Sequence, residues 1–252
     1  LGSIVNCTSP APVSSRIDTA QRVVDVLLGA LAQIVPEKVV AACNSSVTSV
    51  IFSGTNEKTN KYFVYLETIA GGAGAYHCGD GTSGVQVHMT NTSNLPIEAL
   101  EKEYPVMVER YEFIKDSGGA GEFRGGLGIC REFRVLSDTL TCSLLEGERH
   151  KLAPWGLMGG NSGQSGAFYF QKNGEKAVKL PSKISGIALQ KEDMLTVCTP
   201  GAGGFGDPKK RNMQSVLRDV LEGKVTVRSA EEDYGVIIQN GQIDKETTQR
   251  LR

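Results

Sequence analysis

The sequence predicts an α+β fold: mixed, β-rich through its central region, with helices near both ends. Three observations carry that reading. Apolar residues recur at helical spacing over residues 17–35, short β-branched and aromatic runs alternate with glycine-rich turns over 106–188, and amphipathic spacing with capping signals returns after residue 212. At 252 residues the chain can bury a sizeable core. The expected division is a helix and glycine-rich site region over residues 1–105 and a β-rich region with C-terminal helices over 106–252.

In chain order, the first helix is expected from Ile17 to Val35. Ile17, Ala20, Val23, Val24, Leu27, Leu28, Leu31 and Ile34 form its apolar stripe, Ser14, Ser15 or Asp18 can cap it, and Pro36 ends it. Asn44–Phe52 and Tyr62–Ile69 read as strands, Val85–Met89 as a short strand with Gln86 and His88 on one face, and Ile97–Glu103 as a brief acidic helix. Further strands are expected at Val106–Ile114, Gly128–Leu136, Thr139–Gly147, Gly166–Gln171, Ala177–Pro181 and Leu195–Cys198. Asn173-Gly174 predicts a type I′ hairpin turn, because both residues tolerate positive φ. Asn212–Glu222 reads as an amphipathic helix closed by Gly223, Ser229-Ala230-Glu231-Glu232 as a capping box, and Ile243–Arg252 as a terminal helix.

Charge excludes several function classes. Lys plus Arg is 27 and Asp plus Glu is 28, for a formal net charge of −1. Nucleic-acid and membrane-surface proteins carry a basic excess or patch, so neither partner is expected. The longest apolar runs, such as Val23–Leu31, are too short and interrupted to span a bilayer, and no charged leader is visible, so a cytoplasmic location is expected. Cys7, Cys43, Cys78, Cys130, Cys142 and Cys198 are scattered without a C-x-x-C pair. Zinc sites need close thiolate pairs and disulfide scaffolds are short and cysteine-dense, so reduced thiols serving as small apolar residues are expected.

Chemistry concentrates between Tyr62 and Glu132, where glycine clusters sit beside single polar residues. Gly71-Gly72-Ala73-Gly74-Ala75 follows a strand, but no Gly-Lys-Ser/Thr ends it and no helix opens from it, so a tight structural loop is favoured over a phosphate cradle. The same holds for Gly201–Gly206. Of the three histidines, His88 has the most suggestive context, preceding Met89-Thr90-Asn91-Thr92 with its hydroxyl and amide groups. His77 carries no assigned role, and His150 lies in a charged turn and reads as surface. Glu67 follows an apolar strand and is costly to bury unpaired, which makes it functional or ion-paired, with Arg124 and Arg131 as possible partners. Asp116 can cap its glycine turn or serve a site, and Arg124 can grip an anion or hold its own loop by a salt bridge.

These phrases also carry a resemblance. Glu67-Thr68-Ile69-Ala70-Gly71-Gly72-Ala73-Gly74-Ala75, His88-Met89-Thr90-Asn91-Thr92, Tyr104-Pro105-Val106, Ser117-Gly118-Gly119-Ala120-Gly121, Arg124-Gly125-Gly126-Leu127-Gly128, Lys151–Gly160 and Thr199–Pro208 occur in the order found in the hydantoinase B-type chains of the ATP-dependent hydantoinase and 5-oxoprolinase family, which includes the acetone and acetophenone carboxylases. The chain resembles the C-terminal portion of such a protein. The resemblance implies a component of an ATP-dependent cyclic amidohydrolase that opens a hydantoin, 5-oxoproline or similar lactam ring. A ketone carboxylase component and a non-catalytic assembly component are the alternatives. It implies further that the chain alone binds no cofactor. ATP would come with a hydantoinase A-type, ATP-binding partner, and a divalent metal with the N-terminal half of the hydantoinase B-type protein. Activity would require both. Within this chain, Glu67, His88 and Asn91 are the expected catalytic residues and Gly71, Gly72, Thr90, Asp116 and Arg124 the expected substrate-binding ones, with no residue assigned to a metal.

Overall fold

Strand alternation sets the architecture. In the computed structural model, which describes residues 2–252 apart from 4, 12, 14, 15, 57, 58 and 146, β1 (Thr48–Asn56) and β2 (Lys61–Ile69) pair antiparallel, with Thr48 opposite Ile69 and Asn56 opposite Lys61. On β2, Tyr65, Glu67 and Ile69 are buried while Tyr62, Val64 and Leu66 are exposed, the twofold period of a half-buried strand. Seven further strands complete two sheets: β3 (Val106–Phe113), β4 (Ile129–Val135), β5 (Leu140–Leu145), β6 (Ala167–Gln171), β7 (Val178–Leu180), β8 (Lys183–Leu189) and β9 (Met194–Cys198). Their orders are β2-β1-β5-β8 and β3-β4-β9-β6-β7, antiparallel throughout. Both sheets feed one apolar core. Phe52, Leu144 and Leu189 from the first meet Phe133, Phe168 and Leu195 from the second, and the Phe52 and Phe133 rings meet edge-on with centroids 5.3 Å apart. Helix α2 (Ile97–Glu103) adds Leu100 to that core, and Tyr104 after it stacks on Tyr65 at 4.5 Å.

The glycine clusters build a second kind of interior. Segments 71–75, 117–128, 154–163 and 200–206 contain no helix or strand beyond isolated bridges, yet their backbones are bonded to one another. The amide of Gly72 donates to Pro200 O, that of Ala73 to Thr82 O and that of Ala75 to Gly203 O, so successive amides find different neighbours. Backbones lie too close for side chains. A Cβ on Gly72 would fall 2.2 Å from Gly126 O, and one on Gly203 would fall 1.9 Å from Trp155 O.

The C-terminal elements form a separate apolar cluster. Helices α3 (Met213–Leu221) and α4 (Val227–Glu232), the short hairpin β10 (Ile238–Gln239) and β11 (Gln242–Ile243), and α5 (Lys245–Leu251) gather Val216, Val225, Tyr234, Val236 and Ile238 against Ala120. Asn212, Thr226 and Asp244 cap the three helices by accepting backbone N–H bonds. Ser229 is therefore inside α4 rather than its cap, since Thr226 accepts from Ser229 N.

Several local expectations are corrected. The first helix, α1 (Arg16–Leu31), stops four residues short of Val35, and Pro36 opens a 3-10 turn, Pro36–Lys38, where its missing N–H costs nothing. The Ser14 and Ser15 caps lie outside the described residues. Its faces are also inverted. Gln21 and Asp25 are buried, whereas Val23, Leu27 and Leu31 of the expected apolar stripe are 42%, 58% and 46% exposed. Residues 44–47 are not strand; Asn44 N donates to Gly72 O and Ser45 takes φ 42, which tie this stretch to the glycine segments. Of the strand expected at Val85–Met89, only Val85 pairs, with Gly71, and His88 at φ 54 breaks the rest. At the β6–β7 turn only Gly174 has positive φ, so Asn173-Gly174 does not form a type I′ turn.

Candidate functional site

The inverted helix marks the first half of the site. Asp18, Gln21, Arg22 and Asp25 recur at spacings of three and four, so α1 presents a polar stripe to the interior. At its centre Asp25 is 2% exposed and saturated with partners. Its Oδ2 meets Arg22 Nη1 and Arg149 Nη2, each at 2.9 Å, while Oδ1 accepts from Ser45 Oγ at 2.9 Å and lies 3.0 Å from His88 Nε2. Arg149 is buried too, and it donates to the carbonyls of Asn44 and Cys43 at 2.9 and 3.1 Å. The charged turn expected at the surface therefore sends its arginine inward, and His150 packs edge-on against the Phe168 ring at 4.5 Å. Ser45 Oγ lies 3.0 Å from His88 Nε2, and both residues sit at positive φ. Non-glycine residues rarely adopt that conformation and hold it only where neighbours impose it.

This environment charges His88. Burial disfavours the imidazolium, but the hydrogen bond to Asp25 and the adjacent Cys43 outweigh it and raise the pKa from 6.5 to about 9. That shift favours the protonated, hydrogen-donating form of His88 at neutral pH. The sign of the pH effect follows: a pKa raised on folding contributes stability that is complete below about pH 6.5 and disappears as pH rises through about 9. Wild-type stability, followed by urea unfolding from pH 6 to 10, should therefore fall more steeply than that of His88→Gln. Parallel curves would show that His88 is not held as the cation.

The second half lies on the other side of the same loop. Gln21 Nε2 donates to Val87 O and Thr90 Oγ1, both at 3.1 Å, and fixes the 85–92 loop against α1. Beyond it opens a groove of about 640 Å³. Gln86, Asn91, Thr92, Asn94 and Tyr111 give it a neutral polar wall, and Ala70, Leu95, Pro96 and Ile97 an apolar one. Tyr111 OH donates to Asn94 Oδ1 at 3.0 Å, and Asn94 Nδ2 donates to Thr68 O at 2.9 Å. Behind this wall is Glu67, whose carboxylate meets Arg131 at 3.3 Å. The contact is close enough for Coulomb attraction but poorly aligned for a hydrogen bond, and neither Glu67 oxygen has an aligned donor. Burial pushes the Glu67 carboxyl up, against the opposing pull of Arg131, Tyr65 and Asn94. Arg131 is fully buried, with its guanidinium 4.5 Å from the centroid of the Tyr111 ring that walls the groove.

The structure thus puts His88, Thr90 and Asn91 on one loop, places Glu67 on β2 beside Asn94 and Arg131, and leaves the other expected residues elsewhere. Asn91 faces the groove, and His88 the Asp25 cluster. Thr90 bonds Gln86 and Val87 within the loop and accepts from Gln21 on α1. Gly71 and Gly72 are packed among neighbouring segments: a Cβ on Gly71 would lie 2.2 Å from Asn44 Nδ2. Asp116 caps a loop, accepting from Thr226 N at 2.8 Å, and Arg124 turns inward to Asp219 at 3.5 Å, beside the Arg211 ion pairs with Asp80 and Asp219. Asp25, Arg149, Ser45 and Gln21 are site residues that sequence reasoning misses. The spacing of Asp18, Gln21, Arg22 and Asp25 is the available signal, eclipsed by the apolar stripe on the same helix.

Neither glycine segment offers a phosphate cradle, and the two buried carboxylates beside the groove are turned to arginines. A phosphate cradle needs free amides, and in the first glycine segment Gly72, Ala73 and Ala75 donate to carbonyls and Gly74 to Cys43 Sγ. In the second, the amides of residues 201–206 are equally occupied. Asp25 and Glu67 face arginines, and among the described residues no group of three or more His, Cys, Asp or Glu side chains is placed to hold a metal ion. No described helix is long and apolar enough to cross a membrane.

Comparison with known proteins places this geometry in context. Residues 1–208 match the family model described as hydantoinase B/oxoprolinase. An uncharacterized protein of Methanocaldococcus jannaschii is 42% identical over 99% of this chain and 44% of its own length. The B component of a putative D-/L-hydantoinase of a Pseudomonas species is 36% identical over 100% of this chain and 42% of its own. The crystal structure of the ATP-dependent caprolactamase from Pseudomonas jessenii superposes with a TM-score of 0.84 at 29% identity, covering 98% of this chain and 44% of that one. The chain spans less than half the length of each.

Proposed function

The chain belongs to the hydantoinase B/oxoprolinase family, and from that premise we propose that it is a component of an ATP-dependent enzyme that opens a cyclic amide such as a hydantoin, 5-oxoproline or a related lactam. One observation carries the reading on this chain: the groove beside the His88 loop has a polar wall made of neutral amides and hydroxyls. Such a wall matches the N–H and C=O of an uncharged ring, which need one acceptor and one donor and no ion. Asn91 is the residue proposed to touch the substrate, because its amide supplies both. Glu67 and His88 act as positioning residues. Glu67 stands behind Asn94 and Tyr111, and His88 holds the loop that carries Asn91 against Asp25.

ATP would enter with a partner protein, and a metal with the remainder of a family-length hydantoinase B-type protein. The outward stripe of α1, with Val23, Val26, Leu27, Leu31 and the following Ile34 exposed, supports a partner surface there. An amide resists water, and phosphorylating its oxygen creates a leaving group. This chain's share of that chemistry is to bind the ring, orient it and exclude solvent from one side.

In the assembled enzyme Asn91→Ala should lower kcat/KM for ring opening by about 10- to 100-fold, the cost of about one or two hydrogen bonds to the reacting group. The melting temperature should stay unchanged, since Asn91 lies at the groove rather than in either apolar core. Wild-type kinetics in Asn91→Ala would remove the groove from the reaction.

A further inference from the structure

Two cysteines outside the candidate site face each other across the five-stranded sheet. Cys130 on β4 is directly opposite Cys198 on β9. The next pair along the ladder, Ile129 and Thr199, is joined by Thr199 N donating to Ile129 O at 2.8 Å. Hydrogen-bonded and non-hydrogen-bonded pairs alternate in an antiparallel ladder, so Cys130 and Cys198 hold the non-hydrogen-bonded position, where Cα atoms approach to about 4.5 Å. That lies inside the span of about 4.4–6.8 Å that a disulfide bridges. Ile129, Phe133 and Val135 of β4 point into the apolar core, which puts Cys130 on the opposite face with Glu132 and Arg134. Cys130 itself is buried, while Cys198 is half-buried and open to a small reagent.

We propose that Cys130 and Cys198 form a reversible disulfide site, oxidised by thiol–disulfide exchange with a small disulfide of the glutathione class. The two thiols are already hydrogen-bonded, and that contact, opposed by burial and aided by Arg110, favours the Cys130 thiolate. Cys198, deprotonated, attacks one sulfur of glutathione disulfide and releases the first glutathione thiolate. The Cys130 thiolate then attacks the Cys198 sulfur of the mixed disulfide and releases the second. One S–S bond breaks, one forms, and the two thiol protons leave with two glutathiones. Protein dithiol plus glutathione disulfide thus becomes protein disulfide plus two reduced glutathiones.

The bond would form one residue from the candidate groove's support. Thr199, next to Cys198, donates through Oγ1 to Ala70 O at 2.8 Å, and Ala70 lines the groove. Cross-strand bridges hold two strands in one register, so oxidation would tie β9 and the glycine segment after it to β4.

The test incubates the whole folded chain with glutathione disulfide, blocks remaining thiols with iodoacetamide and maps non-reduced peptides by mass spectrometry. The expected result is a linked peptide containing Cys130 and Cys198, two hydrogens lighter than the reduced pair and reversed by reduced glutathione, with Cys142 still alkylated after denaturation. Cys198→Ser should abolish the linked peptide, and Cys78→Ser should leave it unchanged. Alkylation of both Cys130 and Cys198 after oxidant treatment, or glutathione retained on Cys198 without closure onto Cys130, would overturn the proposal.

Discussion

Asp25→Ala should destabilise the chain by about 3–5 kcal/mol, because it removes a buried carboxylate that balances the charge of a buried arginine. Asp25 and Arg149 are 2% and 1% exposed, and they meet at 2.9 Å. Neutral carbonyls of Cys43, Asn44 and Leu152 would still accept the Arg149 hydrogen bonds, so the loss is Coulombic rather than a complete loss of partners. Asp25→Asn retains shape and should lose nearly as much. Urea unfolding monitored through Trp155, whose ring lies 5.6 Å from the Arg149 guanidinium, reads the effect at its origin. A shift below about 1 kcal/mol, the range of an exposed ion pair, would mean that the cluster is solvated. His88 should respond as well, its pKa falling towards 6.5 once Asp25 no longer holds the imidazolium.

Gly72→Ala carries the second large effect. Its Cβ would lie 2.2 Å from Gly126 O and 2.9 Å from the Ala202 amide nitrogen, both backbone atoms in segments already bonded to each other. No side chain can swing aside, so three segments must separate. A loss of about 3 kcal/mol or more is expected, above the usual range for overpacking because backbone has to give way. Gly29→Ala is the matched control. It lies within α1, its Cβ would meet only Trp155 at an ordinary 3.5 Å, and the helix gains about 0.5–1 kcal/mol from the exchange. Similar thermal midpoints for the two variants would contradict the close backbone packing drawn here.

How much of this is legible in the sequence depends on how locally each feature is determined. Strands such as Lys61–Ile69 and Ile129–Val135 announce themselves by alternation, and the helix Ile97–Glu103 has the boundaries expected. β8 escapes the sequence reading because Lys183–Leu189 is largely exposed and broken by Gly186 at positive φ, so its inward Ile184, Ile187 and Leu189 do not keep a twofold period. The glycine clusters read as structural, but their mutual hydrogen bonding does not, since it links residues more than a hundred positions apart. The site divides the same way. That Glu67 is functional or ion-paired follows from the cost of burying a lone carboxylate in an apolar strand, with Arg124 and Arg131 both open, and the structure selects Arg131. Asp25 and Arg149 are 124 positions apart, and nothing near either names the other. The polar stripe of α1 is visible yet outweighed by its apolar stripe, because a helix normally buries the latter. On this chain the apolar stripe faces outward instead.

The proposed ring opening is measured directly as turnover by the complex isolated from the protein's source, supplied in turn with hydantoin, 5-oxoproline and caprolactam, with and without ATP. Ring opening of at least one of them, dependent on ATP and lowered by Asn91→Ala, is the predicted result. ATP hydrolysis without ring opening of any cyclic amide, or bicarbonate-dependent incorporation of carbon into a ketone instead, would contradict it.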